Sequence, residues 1–195
     1  MVRCGKIERK TAETDVSVEI SLDGTGKSDI ATTIPFFDHM LTLLARHGLF
    51  DLVVKGTGDI DVDYHHLVED TGLCLGAALV KALGDKRGIR RYGFASIPMD
   101  ESLCQTSIDL SGRSNLIFNA SLERGAIRDF DPLLTREFFK ALCDEGGITL
   151  HVTVAYGTNF HHMVESIFKS FAHALDGATS LDSRIEGVLS TKGSI

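Results

Sequence analysis

Two stretches of the chain repeat one design, His65-His66-Leu67-Val68-Glu69 and His161-His162-Met163-Val164-Glu165. The segments around each copy recur in the same order, so the chain reads as an internal duplication, a pseudo-dimer of two halves at 1–88 and 89–195. Ahead of the first motif, Phe36, Phe37, Met40, Leu41, Leu43 and Leu44 recur at helical spacing over residues 35–47, with Pro35 suited to a first turn and Gly48 as the stop. Ahead of the second motif, residues 133–143 read as the matching helix and Gly146-Gly147 as its stop. Aligning Gly48 with Gly146 displaces the halves by 98 residues and sets Glu137 opposite His39.

Adjacent imidazoles followed by a carboxylate suggest metal chemistry. On a helix, residues four apart share a face, while neighbours point about 100° apart. His65 can therefore act with Glu69, and His161 with Glu165, leaving His66 and His162 to face elsewhere. If the two motif helices pack side by side, one ion takes His65, Glu69 and His162, and the other takes His161, Glu165 and His66. Imidazole with carboxylate suits manganese, zinc or iron. A structural zinc is disfavoured, since Cys4, Cys74, Cys104 and Cys143 form no C-x-x-C pair.

The remaining pattern fills in the halves. Residues 6–22 alternate through Val16, Val18, Ile20 and Leu22 as a half-buried strand. Asp23-Gly24-Thr25-Gly26 suggests a hairpin turn, and residues 27–33 a return strand. A strand at 49–55, a turn at 56–58 and a strand at 59–64 lead into the first motif helix. That helix runs to about Leu83, with Gly72, Gly76, Ala77 and Ala78 as a low-relief face, and residues 84–88 form a loop. A strand-like stretch follows Arg90-Arg91-Tyr92-Gly93 and continues to Leu122, with a polar loop at 123–131. A strand at 148–155 and a turn at 156–158 precede the second motif helix at 161–175, and a Gly-Ser-rich tail follows from 183.

The net charge of -7 argues against a nucleic-acid binder, so an anionic substrate needs a local cationic pocket. Arg91, Arg113 and Lys192 each abut a glycine or serine, where backbone can approach an anion. The widely spaced cysteines read as reduced thiols of a cytoplasmic protein. No apolar segment marks a secretory leader or approaches the ~18 residues of a membrane span.

Taken together, the motifs resemble those of the imidazoleglycerol-phosphate dehydratase family over essentially the full length. The matching residues are Glu13-Thr14, Leu22-Asp23-Gly24-Thr25-Gly26, Ile34 to Leu41, His47-Gly48, both His-His-x-x-Glu motifs, Arg91-Tyr92-Gly93, Asp100-Glu101, Ser111-Gly112-Arg113 and Ser190-Thr191-Lys192-Gly193. The resemblance implies an α/β (α+β) fold of two tandem halves, each a mainly antiparallel sheet with helices packed on one face. It implies two Mn2+ per active site and a homo-oligomer of 24 subunits built from trimers, with active sites at subunit interfaces. The implied ligands are His39, His65, Glu69 and His162 for one ion, and His66, His161 and Glu165 for the other. Glu137 stands where the family commonly has His. Leu67 and Leu43 stand where Thr and Gln are frequent. Arg91, Arg113, Ser190, Thr191 and Lys192 would hold the substrate phosphate, and Glu13, His39, His47, His65 and Glu69 would border the substrate.

The reaction so implied removes water from D-erythro-imidazole glycerol phosphate to give imidazole acetol phosphate, with the substrate ring held as imidazolate. Its hydrogen leaves an unactivated carbon, so a positioned acid/base is needed, with Glu13 the first candidate and Glu69, Glu165, Asp100 and His47 behind it. Paired ions are also compatible with a phosphate-ester hydrolase, which would release inorganic phosphate. A metal-bridged structural particle would show no saturable binding of imidazole phosphates.

Overall fold

A computed structural model describes residues 3–123 and 125–193. The first half contains β1 (Cys4–Lys10), β2 (Thr14–Ser21), β3 (Ser28–Ala31), α1 (Pro35–Gly48), β4 (Asp51–Gly58) and α2 (His65–Leu83). The second contains β5 (Tyr92–Met99), β6 (Ser102–Asp109), β7 (Asn115–Asn119), α3 (Leu134–Gly146), β8 (Thr149–Tyr156) and α4 (Phe160–Thr179). The strands form two four-stranded sheets, ordered β1-β2-β4-β3 and β5-β6-β8-β7. In each, the last pair is parallel and the others antiparallel, so the halves share one topology.

Alternation along β2 and β4 turns Val16, Val18, Ile20, Leu52 and Val54 inward, and along β6 and β8 it turns Cys104, Ile108, Leu150 and Val152 inward. The helices cover these faces. Each motif helix lies on its own half's sheet but takes its helical neighbour from the other half: α2 packs on α3, and α4 on α1. The shared core is a phenylalanine cluster. Phe37 of α1 meets Phe138 of α3 at 5.3 Å between ring centroids, and Phe138 stacks on Phe168 of α4 at 5.4 Å.

The low-relief face of α2 serves this exchange. A Cβ on Gly72 would lie 2.5 Å from the Phe138 carbonyl oxygen, and one on Gly76 would lie 2.6 Å from that of Leu142.

Several expected elements are rearranged. Residues 6–22 form two strands, because Thr11 Oγ1 accepts hydrogen bonds from the backbone of Glu13 (3.1 Å) and Thr14 (2.9 Å) and turns the chain. The Asp23–Gly26 turn closes no hairpin. β3 pairs in parallel with β4, a pairing that needs the crossover α1 supplies. Gly56 and Gly58 continue β4, where a Cβ on Gly56 would lie 3.0 Å from Leu67. Residues 59–64 are irregular, and the strand-like stretch after Gly93 divides among β5, which begins at Tyr92, β6 and β7. Leu49, with φ 57°, takes the left-handed position after α1, while Gly48 makes room for the Phe50 ring.

Candidate active site

The N-terminal turn of α4 and the middle of α1 bring three expected ligands together. His161 Nε2 lies 3.2 Å from Glu165 Oε2, His39 Nε2 lies 3.9 Å from the same oxygen, and ligand atoms of all three fall within 4.8 Å of one another. Donors on one ion at bond lengths of about 2.1 Å stand roughly 3 to 4 Å apart, so this set fits a divalent metal. Asn159 caps α4 by accepting from the His161 backbone N–H at 2.9 Å, and Phe36 meets the His161 ring edge-on at 5.2 Å. Burial pushes the Glu165 carboxyl up, but the hydrogen bond and charge of Lys169, 2.5 Å from Oε1, together with His161, hold it below its usual value.

A second cluster forms where the β1–β2 turn meets α2. His66 Nδ1 is 3.0 Å from Asp59 Oδ2 and 3.8 Å from Glu13 Oε2, while His65 Nε2 is 3.8 Å from Glu69 Oε2. At the corresponding end of the other sheet, His162 Nδ1 lies 2.6 Å from Glu101 Oε2, and its Nε2 is 3.7 Å from Asp100. Both histidines have raised pKa values, His66 first through its hydrogen bond to Asp59 and His162 first through that to Glu101. Glu101 is correspondingly held far below the usual carboxylate range.

Within one chain the motif helices do not meet as the sequence reading supposed. They pack on α3 and α1 instead of side by side, and His39 stands beside His161 and Glu165 of its own chain, apart from His65, Glu69 and His162. By the same pseudo-symmetry Glu137, in the first turn of α3, belongs to the helix pair that carries His65 and Glu69. It is ion-paired with Arg136 at 3.1 Å. His47 stands two turns along α1 from His39, with its ring 5.6 Å from His173. Burial, then the charges of Lys169 and His173, lower its pKa.

The expected anion-binding residues converge on a cleft of about 890 Å³, lined by Arg91, Arg113, Arg184, Ser190, Thr191 and Lys192, with Glu186 among its other walls. Arg91 is buried with φ 68°, and its fork is already engaged. Nε and Nη2 donate to Asp109 at 2.7 and 3.1 Å, and Nη1 donates to the Leu189 carbonyl at 2.8 Å. It therefore fixes the loop that presents Ser190, while the more exposed Arg113, its Nη2 3.8 Å from Asp109, also lines the cleft. The cleft and the histidines lie at opposite ends of α4. The Arg91 backbone donates to Ala178 at 2.9 Å, and from His161 to Ala178 the helix rises about 26 Å.

Reading the sequence missed Asp59, Glu101 and Lys169. Asp59 fell in a stretch taken for a strand and Glu101 beside the favoured Asp100. Lys169 was detectable one turn after Glu165 on the same helical face.

Duplicated sheets with imidazole–carboxylate clusters at the starts of two helices and a separate cationic cleft define an enzyme-like α/β scaffold. The comparisons make it specific. Residues 32–175 match the family model for imidazoleglycerol-phosphate dehydratase, and the chain belongs to that family. The imidazoleglycerol-phosphate dehydratase of Syntrophus aciditrophicus is 57% identical over 194 residues, covering 99% of this chain and 98% of that protein. That of Geobacter sulfurreducens is 55% identical over the full length of both. The crystal structure of the Staphylococcus aureus enzyme superposes with a TM-score of 0.83 at 37% identity, covering 92% of this chain and 99% of that one. The Pyrococcus furiosus enzyme in complex with (S)-C348 gives 0.84 at 34%, covering 97% and 100%.

Proposed function

We propose that two Mn2+ ions complete the active site, and that it forms between chains of a cytoplasmic homo-oligomer of 24 subunits built from trimers. As a member of its family the chain is a hydro-lyase of histidine biosynthesis, converting imidazole glycerol phosphate to imidazole acetol phosphate and water. The observation that carries the shared site is the separation of about 26 Å along α4 between His161 and the anion cleft. The substrate joins its imidazole to its phosphate through only three carbons, so one chain's histidines and the same chain's cleft cannot grip one molecule.

His39, His161 and Glu165 would hold one ion. His65 and Glu69 would hold the other, with Glu137 offered from α3, and His66 and His162 would complete sites across an interface. Bound ions supply Lewis-acid stabilisation of negative charge on the substrate ring. Arg113, Ser190, Thr191 and Lys192 anchor the phosphate, with Arg91 bracing their loop. Glu13, on an exposed turn 3.8 Å from His66, would move the proton at the carbon next to the departing hydroxyl. The buried, unpaired thiols of Cys74 and Cys143, pushed up to about 11 and about 12 by burial, suit a reducing compartment.

Chelation should abolish turnover and Mn2+ should restore it, with elemental analysis giving two ions per chain and light scattering the mass of 24 subunits. His65→Ala should lose metal and activity together. Full turnover with less than one ion per chain, or from an isolated monomer, would refute the proposal.

A further inference from the structure

We infer that Asp59 and Glu101 are positioning residues: each holds the Nδ1 edge of a spare motif histidine, His66 or His162, so that only Nε2 is presented to an ion completed by another copy of the chain. The inference rests on the two-metal reading above.

An ionised carboxylate only accepts hydrogen bonds, so a bond at Nδ1 requires the proton there and, in the neutral ring that binds a metal, leaves the Nε2 lone pair free. His66 Nδ1 donates to both Asp59 oxygens, at 3.0 and 3.2 Å, and His162 Nδ1 donates to Glu101 Oε2 at 2.6 Å. The Glu101 carboxylate is itself held, and Asp59 is tied at its backbone. Glu101 Oε1 accepts from the backbone N–H groups of Asn159 at 2.8 Å and Thr158 at 3.2 Å, and the Asp59 N–H donates to the Glu13 carbonyl at 3.0 Å. A metal-bound histidine whose other nitrogen is held this way has its tautomer and ring angle set before the ion arrives, and becomes a more basic ligand.

The two halves place this carboxylate from non-equivalent positions. Asp59 follows β4, whereas the corresponding place after β8 holds Gly157-Thr158-Asn159, which supplies amides to Glu101. Glu101 sits in the β5–β6 turn, whereas the corresponding β1–β2 turn carries Glu13, 3.8 Å from the same nitrogen that Asp59 binds. Copying a half would have put the carboxylate at the same position twice. What the halves share is the contact at Nδ1, reached from different elements. The arrangement also leaves Glu13 without a bracing task on His66, free for proton transfer.

The test is Mn2+ binding to the assembled chain, read by the electron paramagnetic resonance of free Mn2+. Glu101→Ala and Asp59→Ala should each still bind two ions per chain at saturation, one of them about 10- to 100-fold more weakly. Glu101→Gln and Asp59→Asn keep an acceptor oxygen without the charge and should fall between those variants and the parent, with metal-free melting unchanged. Adding Glu101→Ala to His162→Ala should weaken binding no further, because Glu101 acts through that ring. Unchanged affinity in the alanine variants, or additive effects in the double variant, would overturn the positioning role. Loss of a whole equivalent in Asp59→Asn would make Asp59 a ligand and overturn it too. A parent that takes up no Mn2+ would instead overturn the metal reading, and this inference with it.

Discussion

At the residue scale, Glu13 shows how little a side chain reveals until its neighbours are known. In the sequence it is an isolated acid before a strand, and such acids are usually just solvated. In the fold it tops a turn whose base is tied down: Thr14 donates to buried Asp70, and Arg9 Nε donates to the same carboxylate at 2.8 Å. The turn is tied down at its base while the Glu13 side chain is exposed, which suits the acid/base role proposed for it. Glu13→Gln should therefore lower turnover by about 10² to 10⁴-fold, the usual contribution of a positioned acid or base, with metal content and melting temperature unchanged. Product formation and elemental analysis on one preparation check this, and undiminished turnover would remove Glu13 from the chemistry. The histidine motifs were legible because i,i+4 geometry is local. Asp59 and Glu101 were not, because Glu101 reaches a ring 61 residues away and Asp59 depends on where its loop ends. Leu67 is explained by packing: it is buried against the glycine surface of β4 at Gly56 and Gly58, a role that calls for an apolar side chain.

At the element scale, helices were the more readable part, since α1 and α2 carry their apolar spacing and breakers in sequence. Strand pairing was less so. The short β3, with Ile30 as its partly buried apolar contact, does not declare whether it pairs with β2 or β4. Asp51 helps set the outcome by accepting from the Thr25 and Lys27 backbone N–H groups at 2.8 and 3.0 Å, which fixes the turn that leads into β3. Those bonds, Thr25 first, lower its pKa from 3.8 in the folded chain. A carboxyl lowered by folding contributes stability that is present above its unfolded value and lost as the pH falls through its folded value. The melting-temperature gap between the parent and Asp51→Ala should thus be constant well above the ordinary carboxylate pKa and close as the pH falls below it. A gap independent of pH would deny the charged carboxylate its part. The small-residue face of α2 gives a second test. In Gly72→Ala the new Cβ would sit 2.5 Å from the Phe138 carbonyl oxygen and 2.9 Å from Ala141 Cβ, both in α3. Such overpacking costs about 1–3 kcal/mol, a fall of several degrees in calorimetry. No fall would show that the helices can part without loss.

At the scale of the whole molecule, the duplication was plain in the sequence, but the exchange of helices between halves was not. Periodicity shows which face of a helix is apolar without naming what covers it. The same exchange parts the machinery. Packing α4 on α1 and running it along β5 and β6 puts His39, His161 and Glu165 at one end and the Arg113–Lys192 cleft at the other. If a working site joins one chain's ligands to another chain's cleft, two different defects need not both fall in the same site. His162→Ala spoils the metal end and Arg113→Ala the phosphate end, and each alone should be nearly inactive as a homo-oligomer. Unfolded, mixed and reassembled, the two should regain a substantial fraction of parental activity, because some sites in a mixed particle draw an intact His162 from one chain and an intact Arg113 from another. The regained fraction should rise and fall with the mixing ratio, greatest near equal amounts. Activity that never exceeds the sum of the two parents, in particles shown by mass to be mixed, would mean that each chain supplies both ends of its own site. The 26 Å rise of α4 would then have to be bridged by a rearrangement of the chain itself.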